Sequence, residues 1–183
     1  MDDKKILSFL ENEFDLSWNE YWETTSCHKF RTSNKDEVSR KLSSLELDKI
    51  IKEHKDLRKC SKLSPIRIYP TDCPDVASLL RFLEDKFIIT NYLWYPMNSW
   101  MGWHTNTHRT GERIYLVWAE EDNKSFFRYR DADTGEIITK WEKSGWQINR
   151  FNISTNPMFW HCVGSYTNRI SIGLAPKVSD KET

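Results

Sequence analysis

The sequence predicts an α+β domain. A helical block runs from residue 1 to about 87, and a β block from 88 to 175 closes as a jelly roll or related double-sheet barrel. The first observation behind this is texture: apolar residues recur at helical spacing before residue 87 and in short β-branched and aromatic runs after it. The second is punctuation, since AEEDNKS, RDADTGE and KSG separate adjacent runs with strong turn chemistry. The third is the lack of βαβ alternation, which argues against Rossmann and TIM folds.

The elements follow in order. Ile6, Leu7, Leu10 and Phe14 mark a first helix, with Asp2 or Asp3 at its N-terminus. Ser33 and Asp36 give an S-x-x-D cap signal for a second. Val38, Leu42, Leu45, Ile50, Ile51 and Leu57 form its single apolar stripe, and Pro65 lies beyond its end. A third helix begins at TDCPD, with Asp72 as the cap, Pro74 in the first turn, and Val76, Leu79, Leu80, Leu83 and Phe87 as the stripe. Strands are expected near 88–95, 99–106, 112–119, 124–131, 136–141, 146–153, 157–163 and 168–175. RYRDADTGEIITKW reads as a hairpin around Asp133, Thr134 and Gly135, and turn chemistry accounts for Asp131 and Asp133 better than a calcium loop does. The polar tail 176–183 is expected to fray.

Composition narrows the function. The 183 residues make one compact domain that can bury a core without staples. Lys plus Arg number 27 and Asp plus Glu 27, so no global field favours nucleic acid or an anionic membrane, although Arg109, Arg113, Arg128 and Arg130 form a local patch. No apolar run approaches a membrane span. The start, MDDKKILSFL, lacks a signal peptide's apolar stretch, and a cytoplasmic location is the expectation. Cys27, Cys60, Cys73 and Cys162 fit no zinc spacing and read as reduced thiols. Nine Trp, six of them between Trp94 and Trp146, predict a well-packed β core with a Trp-lined pocket.

Of the five histidines, those of the β half carry the chemistry. In WMGWHTN, His104 and Asn106 stand two apart and, in a strand, share a face. His161 follows 57 residues later in FWHCV. In NRISIGL, Ile170, Ile172 and Leu174 take one face while Arg169 and Ser171 take the other. A guanidinium in a barrel interior requires an anion, and its fork suits a carboxylate.

This ordered set resembles the Fe(II)/2-oxoglutarate-dependent oxygenases, whose motif is His-x-Asp/Glu, a distal His some fifty to sixty residues on, and Arg-x-Ser on the last strand. The resemblance covers residues 92–175 and is nearest the small prolyl-hydroxylase-like and aspartyl/asparaginyl β-hydroxylase-like members. It implies a double-stranded β-helix with an N-terminal helical layer packed on the outer sheet. It implies iron on His104 and His161, with Asn106 at the third ligand position. 2-Oxoglutarate would be anchored by Arg169 and Ser171, with Tyr115 giving it a hydroxyl, and oxygen would complete the cofactor set. The implied reaction is oxidative decarboxylation of 2-oxoglutarate to succinate, coupled to hydroxylation of a small molecule, an amino acid or a peptide segment.

The departure is Asn106, an amide where the motif has a carboxylate. It leaves open weak or water-mediated ligation, a two-His site, a halide in the vacant position, another ligand such as His108, or a lapsed site. Tyr95, Trp94 and Trp103 flank the first motif as candidate walls of the pocket; Arg113 and Arg128 read first as structural, with a hold on a substrate anion as the functional alternative. Cys162, next to His161, should point into the core. The rival function is a non-catalytic module that binds a small acid or sugar at a lapsed metal site. A third keeps a metal without 2-oxoglutarate, against which Arg169 argues.

Overall fold

A computed structural model describes residues 2–14, 34–53, 66–67, 74–83 and 85–177. The helices are α1 (Asp3–Glu13), α2 (Lys35–Lys41), α3 (Ser44–Lys52) and α4 (Pro74–Leu83). The strands are β1 (Ile66–Arg67), β2 (Phe87–Tyr95), β3 (Ser99–His104), β4 (Gly111–Ala119), β5 (Ser125–Arg130), β6 (Ile137–Trp141), β7 (Gly145–Ile153), β8 (His161–Ser165) and β9 (Arg169–Pro176). They form a five-stranded sheet in the order β1-β2-β9-β4-β7 and a four-stranded sheet in the order β3-β8-β5-β6. Every pairing is antiparallel, so the α+β class holds.

Strand alternation divides the apolar residues into three clusters. Tyr92, Trp94, Ile114, Leu116, Ile170, Ile172 and Leu174 leave the five-stranded sheet on one face and meet Ile6, Leu10 and Phe14 of α1 and Val76, Leu79 and Leu83 of α4. Trp100, Phe126 and Cys162 leave the four-stranded sheet on its far face and meet Val38 and Leu42 of α2 and Leu47 and Ile50 of α3. Leu93, Tyr95, Phe127 and Val163 fill the space between the sheets. Each fully buried Leu or Ile contributes about 1.5–3 kcal/mol. The expected single helical layer is therefore two layers, one on each sheet. Both outer faces are apolar, and each needs a cover.

Asp2 caps α1 through Lys4 N at 3.3 Å, as the sequence predicts. The second expected helix breaks in two. Ser43 caps α3 by accepting from Glu46 N at 3.2 Å, an S-x-x-E signature inside the expected stripe. The break turns Leu45 out to 79 % exposure, against the expectation that it joins the stripe. Asn34 caps α2; Ser33, Leu57, Pro65 and Asp72 lie outside the described residues.

Strand β1 was not expected, and the expected strands 99–106 and 157–163 are shorter, ending at His104 and starting at His161. The β5–β6 hairpin is built by Asp131 Oδ1, which accepts from Asp133 N at 3.1 Å and Thr134 N at 2.9 Å, as turn chemistry requires. Gly164 leaves room for the Phe126 ring and for Leu42 at the end of α2. A Cβ there would lie 2.5 Å from the Phe126 ring and 2.9 Å from Leu42 Cδ1.

Candidate active site

The interior of the four-stranded sheet presents three rows. Ser99, Ser165 and Ser125 align at one end, Met101, Val163 and Phe127 in the middle, and His104, His161 and Tyr129 at the other end. The opposing sheet answers with Tyr95 and Arg169, then Leu93, Ser171 and Val117, then Asn91, Gly173 and Tyr115. Register alone thus gives the space between the sheets two polar ends and a middle that is apolar apart from Ser171. His161 and Ser165 are the two ends of β8, four residue steps apart, about 13 Å of strand.

His104 ends β3 directly opposite His161, which begins β8. Their ring centroids lie 4.1 Å apart. Each Nδ1 is turned to a backbone carbonyl, His104 to Gly102 O at 2.7 Å and His161 to Phe159 O at 3.1 Å. That contact holds the proton on Nδ1 and leaves Nε2 as the lone-pair atom. Burial, joined by the charge of His108, lowers the His104 pKa. Burial and then His104 press His161 well below its ordinary value. Both rings are neutral at pH 7, the form that binds a metal.

Asn106 departs from the expected geometry. Its φ is +53°, and the strand has already ended. Asn tolerates this left-handed conformation better than most residues do. The turn nevertheless returns its amide to the histidines, and Nδ2 donates to His161 Nε2 at 3.1 Å. The Tyr115 hydroxyl lies close to the same side chain, and burial raises its pKa. Two imidazoles, an amide and a phenol therefore converge at one end of the interior. Among the described residues, no group of three or more His, Cys, Asp or Glu side chains could hold a metal. His108 is exposed on the turn after β3.

Arg169 is buried at the other end, but its fork is not open. Nε and Nη2 donate to Glu142 Oε2 and Oε1, each at 2.7 Å. Glu142 also accepts from Ser125 Oγ at 2.5 Å. Burial works against the Arg169 charge and Glu142 outweighs it, so its pKa is raised. The Tyr95 ring covers the guanidinium at 4.8 Å. Nη1 is a buried donor with no partner among the described residues. Ser171 lies two residues along on the same face, between Leu93 and Val117.

Glu142 is the residue that sequence reasoning missed. It stands just past β6, in WEKSGW, where a surface turn was the natural reading. Other expectations also fall. Trp103 faces the helices and donates Nε1 to Ser43 O at 3.0 Å, and Trp94 joins the cluster under α1 and α4, so only Tyr95 of the three walls the interior. Of the described Trp residues all but the exposed Trp141 belong to the two outer clusters, and the wall beside His161 is made instead of Phe127, Tyr129, Phe151 and Phe159. Arg128 holds Thr139 Oγ1 at 2.8 Å and Leu42 O at 2.6 Å, which makes it a helix staple rather than a substrate ligand. Cys162 packs in the outer cluster as expected, and burial raises its thiol pKa.

Comparison of the chain with protein-family models and with curated proteins found no match. No helix among the described residues is long and apolar enough to cross a membrane.

Proposed function

We propose that this protein is a non-haem Fe(II)/2-oxoglutarate-dependent oxygenase of jelly-roll, double-stranded β-helix architecture that hydroxylates a small molecule, an amino acid or a peptide segment. The observation that carries this reading is the facing pair His104 and His161, each with Nδ1 bound to a carbonyl and Nε2 turned from it; His161 Nε2 accepts from Asn106, whose amide would rotate to admit a metal. The strand orders β2-β9-β4-β7 and β3-β8-β5-β6 support the architecture, because each sheet alternates early and late strands as a jelly roll does.

The donor set fits iron. Two neutral imidazoles with second partners already in place would hold it, and the Asn106 amide oxygen, after rotation of the side chain, would offer a neutral third ligand. The fit to 2-oxoglutarate rests on the orphaned Arg169 Nη1, which a ligand carboxylate would complete while Glu142 braces the rest of the fork. When bound, iron, 2-oxoglutarate and oxygen supply the oxidising chemistry for a C–H bond. The chain's own residues orient and enclose. Tyr115 and Asn106 set the polar contacts around His161, and Phe127, stacked on His161 at 5.4 Å, excludes water from that side.

A second reading has an observation of its own. The Arg169 fork is already filled by Glu142, and the third ligand position lacks an acid, which together favour a binding module with a lapsed metal site. Anaerobic titration with Fe(II) and 2-oxoglutarate separates the two. A visible charge-transfer band that disappears in His104→Ala is the expected result, and a folded wild-type protein without a band would establish the module instead.

A further inference from the structure

Arg113 begins the interior face of β4, two residues from Tyr115 and so about 7 Å from it along the strand. It is 5 % exposed. Its Nη1 donates to Glu112 O at 2.8 Å and its Nη2 to Arg109 O, both of them backbone carbonyls. Those bonds fix the head but leave the charge uncompensated. The neighbouring carboxylate of Glu112 faces away and holds Arg150 at 2.7 Å. Among the described residues no carboxylate pairs with Arg113. Burial lowers its pKa, opposed by Tyr115 and aided by nearby Arg109. A buried unpaired guanidinium costs several kcal/mol, whereas the other buried guanidinium, Arg169, has Glu142.

The surroundings define what would complete it. Arg113 lies directly across from Phe151 of β7. Phe151 packs with Tyr129 at 5.8 Å and Phe159 at 5.6 Å, and Phe159 continues the wall to His161 at 5.2 Å. Lys140 sets a second positive charge 5.1 Å from the Phe151 ring centre. We propose that Arg113 seats the anionic group of a small carboxylate whose apolar body lies along the Phe151, Tyr129 and Phe159 rings toward His161. Its role as the seat of the hydroxylated substrate rests on the oxygenase reading; the capacity to bind the anion does not.

Arginine Nε–H signals in 1H–15N NMR test the seat on the wild-type protein. Arg113→Lys assigns the Arg113 signal, and through-bond correlation from the backbone does so if that variant fails to fold. Sodium benzoate is titrated first, then sodium acetate, with sodium chloride holding the ionic strength constant. The Arg113 signal should shift to saturation with both acids and at several-fold lower concentration with benzoate, and the Phe151 and Tyr129 ring signals should move with benzoate. A signal that follows benzoate no more than chloride overturns the seat, and equal midpoints for the two acids overturn the aromatic wall's part in it. The iron–2-oxoglutarate band is recorded separately. A band without a shift overturns the seat alone, whereas a saturable shift without a band overturns the substrate role together with the oxygenase.

Discussion

Replacing Glu142 by leucine exposes what the buried ion pair does. Side-chain exposure is 1 % at Arg169 and 2 % at Glu142, so solvent screens the pair very little. Glu142→Leu keeps much of the side-chain volume and removes both hydrogen-bond acceptors. Arg169 then remains as a buried cation with its fork unmet, and Ser125 Oγ loses its acceptor. Breaking a buried pair in this way costs about 3–5 kcal/mol, out of a total stability on the order of 5–15 kcal/mol. For a chain of this size the melting temperature falls by about 2–4 °C per kcal/mol, so a drop of roughly 6–20 °C is expected. Urea unfolding followed by tryptophan fluorescence and far-UV circular dichroism measures it. Adding Arg169→Met removes the stranded charge, and the double variant should recover most of the loss. A ligand arm follows from the same geometry: the freed fork should take a carboxylate, so 2-oxoglutarate should raise the stability of Glu142→Leu more than that of the wild type. A single variant that loses less than about 1 kcal/mol, or a double variant as unstable as the sum of the singles, would refute the pairing argument.

Three further outcomes are expected. Asn106→Asp places a carboxylate beside His161 Nε2 at a backbone conformation Asp also tolerates, and Fe(II) should bind about tenfold tighter, some 1.4 kcal/mol; unchanged affinity by isothermal titration would put Asn106 outside the ligand set. His104 and His161 have folded pKa values depressed by burial, so their stabilising contribution is full above the unfolded value near 6.5 and is lost as pH falls through that value toward the folded ones. Metal-free protein should therefore lose stability below pH 6.5 at about 1.4 kcal/mol per pH unit per ring, and a flat profile between pH 7 and 5 would mean that the rings take up protons in the folded protein as they do in the unfolded chain. Gly164→Ala drives a methyl into Phe126 and Leu42 and should cost about 1–3 kcal/mol in thermal unfolding; an unchanged melting temperature would refute the close packing at this position.

Much of the fold was legible because it depends on period. Ile170, Ile172 and Leu174 alternate with Arg169 and Ser171, and that alternation alone separates an outer apolar face from an inner polar one. The division of the helical block was legible too, in Ser43 and Glu46, but the longer apolar stripe through Leu45 concealed the cap. The number of helical layers was not, since the stripes say that a helix packs but not on which sheet. The tryptophans misled for a related reason. Trp94, Trp100 and Trp103 are large enough to wall a pocket, but strand parity and the end of β3 put them under the helices.

The site shows the same boundary between local and distant information. His104 and His161 belong to different strands, and only their position within each run hinted that they would pair. Asn106 reaches them by leaving the strand, not by continuing it, so the two-residue spacing had the right partner for the wrong reason. Glu142 was out of reach because nothing in WEKSGW distinguishes a buried counter-ion from a solvated turn. The requirement for it was nevertheless written at Arg169, since a guanidinium on an interior face demands an anion from somewhere. That demand could be met by a ligand or by the chain, and here the chain answers it with two bonds and leaves one donor open. Arg113 poses the same demand at the histidine end, among the described residues without an internal answer. The two arginines thus divide the interior into an end that the protein neutralises largely for itself and an end whose charge awaits a ligand.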